Sequence, residues 1–281
     1  ENNKYPRHFS YDWSDNQRQL RMQDLFEKRS IHSLQSFKEI HDDTVSSSAR
    51  TLLPLLGKNL WYSQILEMDN DLIILRRKTL DLLAEWNGEM SIHLPQPLIY
   101  YSWTSQFQRM VLQDDIGSQI NWFKSVKPDF LERVLRNVDG AGTWCDIKQT
   151  EKIETCDDIA LMSLDNSLVA NAKLIGTDLE KWRWGNYHKA HFIDKVIGKY
   201  PLISYFSNLV YEISGGDNTL SMAKSNRSSE NIHEVGYGST LRAIFDLSDK
   251  DKSFFSIPTG QSGHLFSKHY DDFAELWKNN E

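Results

Sequence analysis

Ser221-Met222-Ala223-Lys224 has the spacing in which a lysine amine activates a serine hydroxyl for nucleophilic attack. The pattern fixes only two positions in four and its companion motifs are absent from the chain, so chance accounts for it. His188 and His191 stand three apart, as a metal pair would, but a metal centre needs a third ligand and supporting partners that the sequence does not display. A structural role is the simpler account. His264 and His269 flank a loop and have the chemistry of bases or ligands, with hydrogen bonding inside that loop as the plainer reading. Cys145 or Cys156 with His188 would make a thiol hydrolase, yet no third group is evident to orient the histidine. The acid pairs Asp42-Asp43 and Asp271-Asp272 offer oxygens to calcium but lack the alternating ligands of a calcium loop, and they read as helix caps or solvated charges. Trp182, Trp184 and Gly185 suggest either a stacking platform for a planar ligand or core, each indole N–H satisfied by a carbonyl; core is preferred.

The elements that must hold these residues divide the chain unevenly. Residues 15 to about 83 place leucine, isoleucine and phenylalanine at helical spacing, with Ser33 as a helix start and Gly57 and Asn87-Gly88 as stops. Pro95 and Pro97 predict an extended link, followed by helix over about 98–138 and again over about 157–175. Beyond Trp182 glycines multiply and strands are expected, most clearly residues 241–247, paired through the 248–251 turn with residues 254–257. The last dozen residues read as a closing helix. No repeat, low-complexity tract or linker divides residues 1–281.

At 40% hydrophobic and 12% aromatic residues the chain has the material for a sizeable core. Its net charge of -7 argues against a nucleic-acid partner, whose phosphates need clustered lysine and arginine. No apolar run approaches the roughly 20 residues of a spanning helix. The two cysteines fit neither a redox pair nor a zinc half-site, and their spacing leaves a short-loop disulfide and two free thiols equally open. The start at Glu1, without Met or signal peptide, suggests a processed or excised piece. The residues alone define an acidic α+β chain, part of an enzyme, and leave its function open.

A longer pattern is more specific. The segment 239–277, with Arg242 to Leu247, Pro258-Thr259-Gly260-Gln261-Ser262-Gly263-His264 and His269-Tyr270-Asp271-Asp272 in order, resembles the closing signature of the penicillin-acylase family of N-terminal-nucleophile hydrolases. Ser214-Gly215-Gly216-Asp217-Asn218-Thr219, Trp182-x-Trp184-Gly185-x-x-His188, Glu85-Trp86-Asn87-Gly88, Asp43 with Ser47, and both cysteines in their TWCD and ETCD settings resemble further landmarks, so the similarity runs along the whole chain.

At the start, Asn2-Asn3-Lys4, Tyr5-Pro6, Trp13 and Arg18 resemble the family segment with an oxyanion-hole asparagine and an active-site arginine, which places those roles on Asn2 and Arg18. The resemblance implies amide hydrolysis by a serine at a free chain N-terminus, with its own α-amine as general base. Glu1 carries no such hydroxyl, so the serine is expected on an upstream segment, this chain corresponds to the C-terminal portion of a β-subunit, and alone it is expected to be inactive. Its partners would be the rest of that β-subunit and the α-subunit of the same precursor. Substrates would be N-acyl amides of the penicillin or acyl-homoserine lactone class. The implied fold is part of an αββα sandwich, with helices over about 1–180 and strands with a closing helix over about 181–281. Family habit implies a periplasmic or secreted protein and favours a Cys145–Cys156 disulfide. The chemistry needs no cofactor. Structural calcium is possible in the complete enzyme, but the spacing from Tyr5-Pro6 to Trp13 is shorter than in some members, so no calcium ligand is carried over. Two alternatives are a non-catalytic scaffold or binding protein of this family, and a local one in which Asn2 caps a turn and Arg18 pairs with Asp15.

Overall fold

The computed structural model describes residues 15–61, 71–226 and 233–279; Asn2, Asn3, Tyr5, Pro6 and Trp13 lie outside them. Among the described residues the first part forms α1 (Gln17–Glu27), α2 (Leu34–His41), α3 (Ser47–Leu56), α4 (Asp71–Ala84), α5 (Gln96–Ile116), α6 (Pro128–Leu135) and α7 (Cys156–Ile175). The one-turn helix α8 (Trp184–Tyr187) then leads into β1 (Lys189–Phe192), α9 (Pro201–Ser207), β2 (Leu209–Glu212), β3 (Ala223–Ser225), β4 (Val235–Gly238), β5 (Arg242–Ile244), β6 (Phe254–Ser256) and the closing helix α10 (Ala274–Asn279). Among the described residues the chain is α+β, helical first and stranded last, as the sequence predicts.

Local chemistry explains the boundaries. Ser33 caps α2 reciprocally with Ser36, and Thr155 caps α7 reciprocally with Asp158, each pair satisfying backbone N–H groups that have no partner inside the helix. Asp157 and Asp158 also place negative charge at the positive end of α7. Pro95 and Pro97 differ from expectation. Instead of an extended link they seat the start of α5, where a missing N–H costs nothing because no acceptor precedes it. The expected helix over 98–138 is broken: Gly117 adopts φ 52°, a 3₁₀ turn follows at Gly117–Trp122, and a new helix begins only at Pro128. The closing helix starts late for a visible reason. The carbonyls of His269 and Tyr270 accept the N–H groups of Ser262 and Gly260 (2.9 and 2.8 Å), which holds that stretch in a turn.

The main core lies among the helices. The first turns of α5, residues 97–104, are buried on every side, and Leu98, Ile99, Trp103, Phe107 and Val111 share one core with Leu164 and Leu168 of α7 and with Leu52, Leu56 and Leu83. Trp103 is fully buried, and its indole N–H donates to Ala160 O (2.9 Å) and Ser163 Oγ (3.1 Å), so no polar atom is stranded. Each such aliphatic or aromatic side chain contributes about 1.5–3 kcal/mol by leaving water. Cys145 and Cys156 form a disulfide, Cα to Cα 5.0 Å, which ties the 3₁₀ segment after α6 to the first residue of α7. The resemblance favours that bridge; spacing alone leaves it open.

The strands form two sheets. Four pair in the order β2-β1-β4-β3, with β1 antiparallel to β2 and parallel to β4, while β5 and β6 make a separate hairpin. A smaller cluster of Ala190, Ile213, Ala223 and Trp277 fastens α10 to the larger sheet.

Candidate functional site

Arg18 and Arg21 lie three residues apart on α1, a spacing that puts both on one side of the helix. The Arg18 Nε donates to Thr219 O at 2.9 Å and its Nη2 to Leu220 O at 3.2 Å. Among the described residues no carboxylate pairs with this exposed guanidinium, which is held on two backbone carbonyls. Asp15, the acid expected to neutralise it if its role were merely local, is not its partner; burial raises that carboxyl, with Asp129 nearby adding to the effect.

The loop that receives Arg18 is strapped from several sides. Gly215 N–H donates to Met90 O (2.8 Å) and Gly215 O accepts the Trp184 indole N–H (2.9 Å). Thr219 Oγ1 accepts from Gly216 N (2.9 Å) and donates to Ser221 O (2.8 Å), and Ser225 N–H donates to Asp217 Oδ1 (2.9 Å). Gly215 sits at φ 100°, and a Cβ there would stand 2.2 Å from Ser221 O, so only glycine fits. Residues 214–219, one of the sequence landmarks, thus form a rigid turn whose following carbonyls face α1.

Beneath the turn, His188 is fully buried. Its Nδ1 lies 2.7 Å from Ile213 O and its Nε2 3.0 Å from Ala223 O, with the ring stacked on Trp184 at 4.2 Å. Burial pushes its pKa down to about 4, so the ring is neutral at pH 7 and one of the two carbonyls receives no proton. It closes the neck of the turn. It is not half of a metal pair, since His191 reaches Glu234 instead (3.1 Å).

The remaining sequence candidates do not converge here. Ser221 and Lys224 share no hydrogen bond among the described residues; Ser221 N–H donates to Asp43 O (2.9 Å). Both cysteines are consumed by the disulfide and offer no thiol. Trp182 and Trp184 are core, with indole N–H groups on Gly176 O and Gly215 O (2.9 Å each). His264 Nδ1 accepts from Phe266 N within its own loop (3.3 Å), and His269 Nδ1 meets Asp272 Oδ2 at 2.7 Å. No three His, Cys, Asp or Glu side chains gather as a metal site among the described residues. Of the acids weighed for calcium, Asp42 stands at the C-cap of α2 and Asp271 and Asp272 are exposed. Asp43 is not a cap or a solvated charge but the bidentate partner of Arg21 (3.0 and 2.5 Å), while Asp42, burial having pushed its carboxyl up to about 6, lies in the field of Arg242 and Lys38. The Arg21–Asp43 pair escaped the sequence reading; its available signals were the Arg18-x-x-Arg21 spacing and the Asp43 landmark.

The penicillin amidase family model matches residues 1–281, and the chain belongs to that family. It is 22% identical over 221 residues to the acyl-homoserine lactone acylase QuiP of Pseudomonas syringae pv. tomato, covering 72% of this chain and 25% of that protein. The QuiP protein of Pseudomonas putida is 23% identical over 216 residues, again 72% of this chain and 25% of the relative. The penicillin acylase 2 proenzyme of Pseudomonas sp. strain SE83 is 29% identical over 115 residues, 41% of this chain and 15% of that protein. The chain therefore spans about a quarter of the length of the first of these relatives, all of which are named as acylases.

Proposed function

We propose that this chain is the part of an N-acyl amide hydrolase that holds a fixed positive charge beside the reacting carbonyl. In this reading the nucleophile is a serine at a free N-terminus created by processing, carried on polypeptide outside this chain, with its α-amine as general base. The serine oxygen adds to the amide carbonyl, the amine departs with a proton, and water releases the acid from the acyl-enzyme. Asn2, outside the described residues, donates its amide N–H to the developing oxyanion, and Arg18 stabilises negative charge nearby. The observation that supports the reading is that the Arg18 guanidinium, given its role by the sequence resemblance, is held on Thr219 O and Leu220 O without a carboxylate partner among the described residues.

By the names of its relatives the substrates are acyl-homoserine lactones or penicillin-like amides. The complete protein then adopts the αββα sandwich, acts outside the cytoplasm, and assembles this chain with the remaining pieces of one precursor. This chain alone turns over no amide. Incubating the complete, processed protein with an N-acyl-homoserine lactone and with an N-phenylacetyl amide tests the reading. Release of the free acid and amine, abolished when the N-terminal serine becomes alanine, is the expected result. No turnover of either by correctly processed protein would leave the binding or scaffold role instead.

A further inference from the structure

Nothing in the proposed mechanism uses Arg21, yet it is the most buried cation of α1, with 7% of its surface exposed. Its Nε and Nη2 grip both oxygens of Asp43 (3.0 and 2.5 Å) while Nη1 holds Asp24 within its own helix (2.9 Å). Asp43 is 10% exposed, and it is bound at its backbone as well. Its carbonyl accepts the N–H of Ser221 (2.9 Å), the residue directly after the two whose carbonyls take Arg18. The neighbouring Thr44 O and Ser46 N–H pair with Met90 N–H (3.0 Å) and Gly88 O (2.9 Å), so Asp43 does not drift. One acid therefore joins α1 to the receiving loop, through its side chain on one side and its main chain on the other.

We propose that the Arg21–Asp43 ion pair is the positioning device for Arg18, setting the rotation and height of α1 so that the Arg18 fork meets the Thr219 and Leu220 carbonyls. The proposal rests on the hydrolase reading for its kinetic consequence but not for its geometry. A bidentate arginine–carboxylate pair fixes orientation as well as distance, which a lysine point charge does not. Neither Arg21 nor Asp43 touches substrate; both act through Arg18.

The test uses the complete protein with Arg21→Gln, Arg21→Lys and Asp43→Asn, alone and with Arg18→Ala. Asp43→Asn keeps the backbone bond to Ser221 and serves if loss of the arginine prevents folding. Crystal structures of the variants should show the Arg18 guanidinium displaced from the Thr219 carbonyl. Its kcat should fall between about 10- and 100-fold, as for an ångström-scale misplacement of a catalytic group, with KM little changed. On an Arg18→Ala background the same substitutions should cost no further kcat, and Arg21→Lys should recover less than half of the loss on a logarithmic scale. An unmoved Arg18 in the variant structures overturns the proposal whatever the activity. So does a loss of kcat that multiplies with that of Arg18→Ala. A displaced Arg18 with unchanged kcat upholds the positioning and instead removes Arg18 from catalysis.

Discussion

His188 shows how far a single residue type misleads without its surroundings. Spacing sets it beside His191 as a metal pair, whereas the fold seals it between two carbonyls against Trp184. Its consequence is a pH dependence. The folded value of about 4 lies below the ordinary 6.5, so the unfolded chain takes up a proton that the native chain refuses. Stability from His188 is complete above pH 6.5 and declines as pH falls toward 4, by about 3 kcal/mol in all. Asp42 works in the opposite sense, because its raised carboxyl binds protons more readily when folded, and that relieves a native-state penalty as pH falls below about 6. Urea unfolding of the wild type and of His188→Gln across this range separates them. The variant should lose the His188 slope, and an unchanged slope would show that another group carries it. The core role of Trp182 and Trp184 is legible in the sequence, because a buried indole needs only a nearby carbonyl, whereas the role of Arg18 comes from the resemblance alone. The Arg21–Asp43 pair is not legible there, since its partners are 22 residues apart and meet only through the packing of α1.

At the scale of elements, what could be read was what local chemistry determines. Ser33 and Gly57 mark helix ends in the chain and in the fold. The 242–244 strand pairs with 254–256 in the expected hairpin, although it is shorter than 241–247: beyond Ile244 the Asp246 N–H donates to the Ser253 hydroxyl (2.9 Å) instead of a strand carbonyl. Pro95 and Pro97 misled because proline breaks a helix interior but suits its first turn, and only the fold decides which applies. Two predictions belong here. Thr155→Ala removes the cap of α7 and should cost about 1 kcal/mol by chemical denaturation. Opening the 145–156 bridge with Cys145→Ser and Cys156→Ser should cost about 3 kcal/mol, since the bridge restrains the unfolded chain around a short loop. A loss below about 1 kcal/mol would show that the loop is already ordered by Glu154, which takes the Ile147 N–H and the Thr150 hydroxyl.

For the molecule as a whole, the described residues distribute their apolar surface unevenly. The helical part exposes scattered large side chains, Ile31, Trp122, Ile153 and Leu174 at 79–84%, whereas in the stranded part they cluster, as at Leu202, Tyr205 and Phe206 of α9 (86%, 83% and 68%). Surfaces of that kind mark contacts with further polypeptide. The chain alone should therefore self-associate, and Leu202→Lys with Tyr205→Lys on α9 should reduce its mass by light scattering toward that of one chain. Persistent association in the double variant would place the sticky surface elsewhere. The account of function stands on a single charge. In the complete, processed protein, kcat for N-acyl amide hydrolysis should fall by about 10²–10³ in Arg18→Ala, in the range typical of one lost oxyanion-stabilising group, and Arg18→Lys should remain impaired. Thermal unfolding of the same variants should change little, because the Arg18 side chain is exposed and leaves no cavity when truncated. Near-normal kcat with a lowered melting temperature would contradict the account, reducing Arg18 to a strut between α1 and the 214–221 turn.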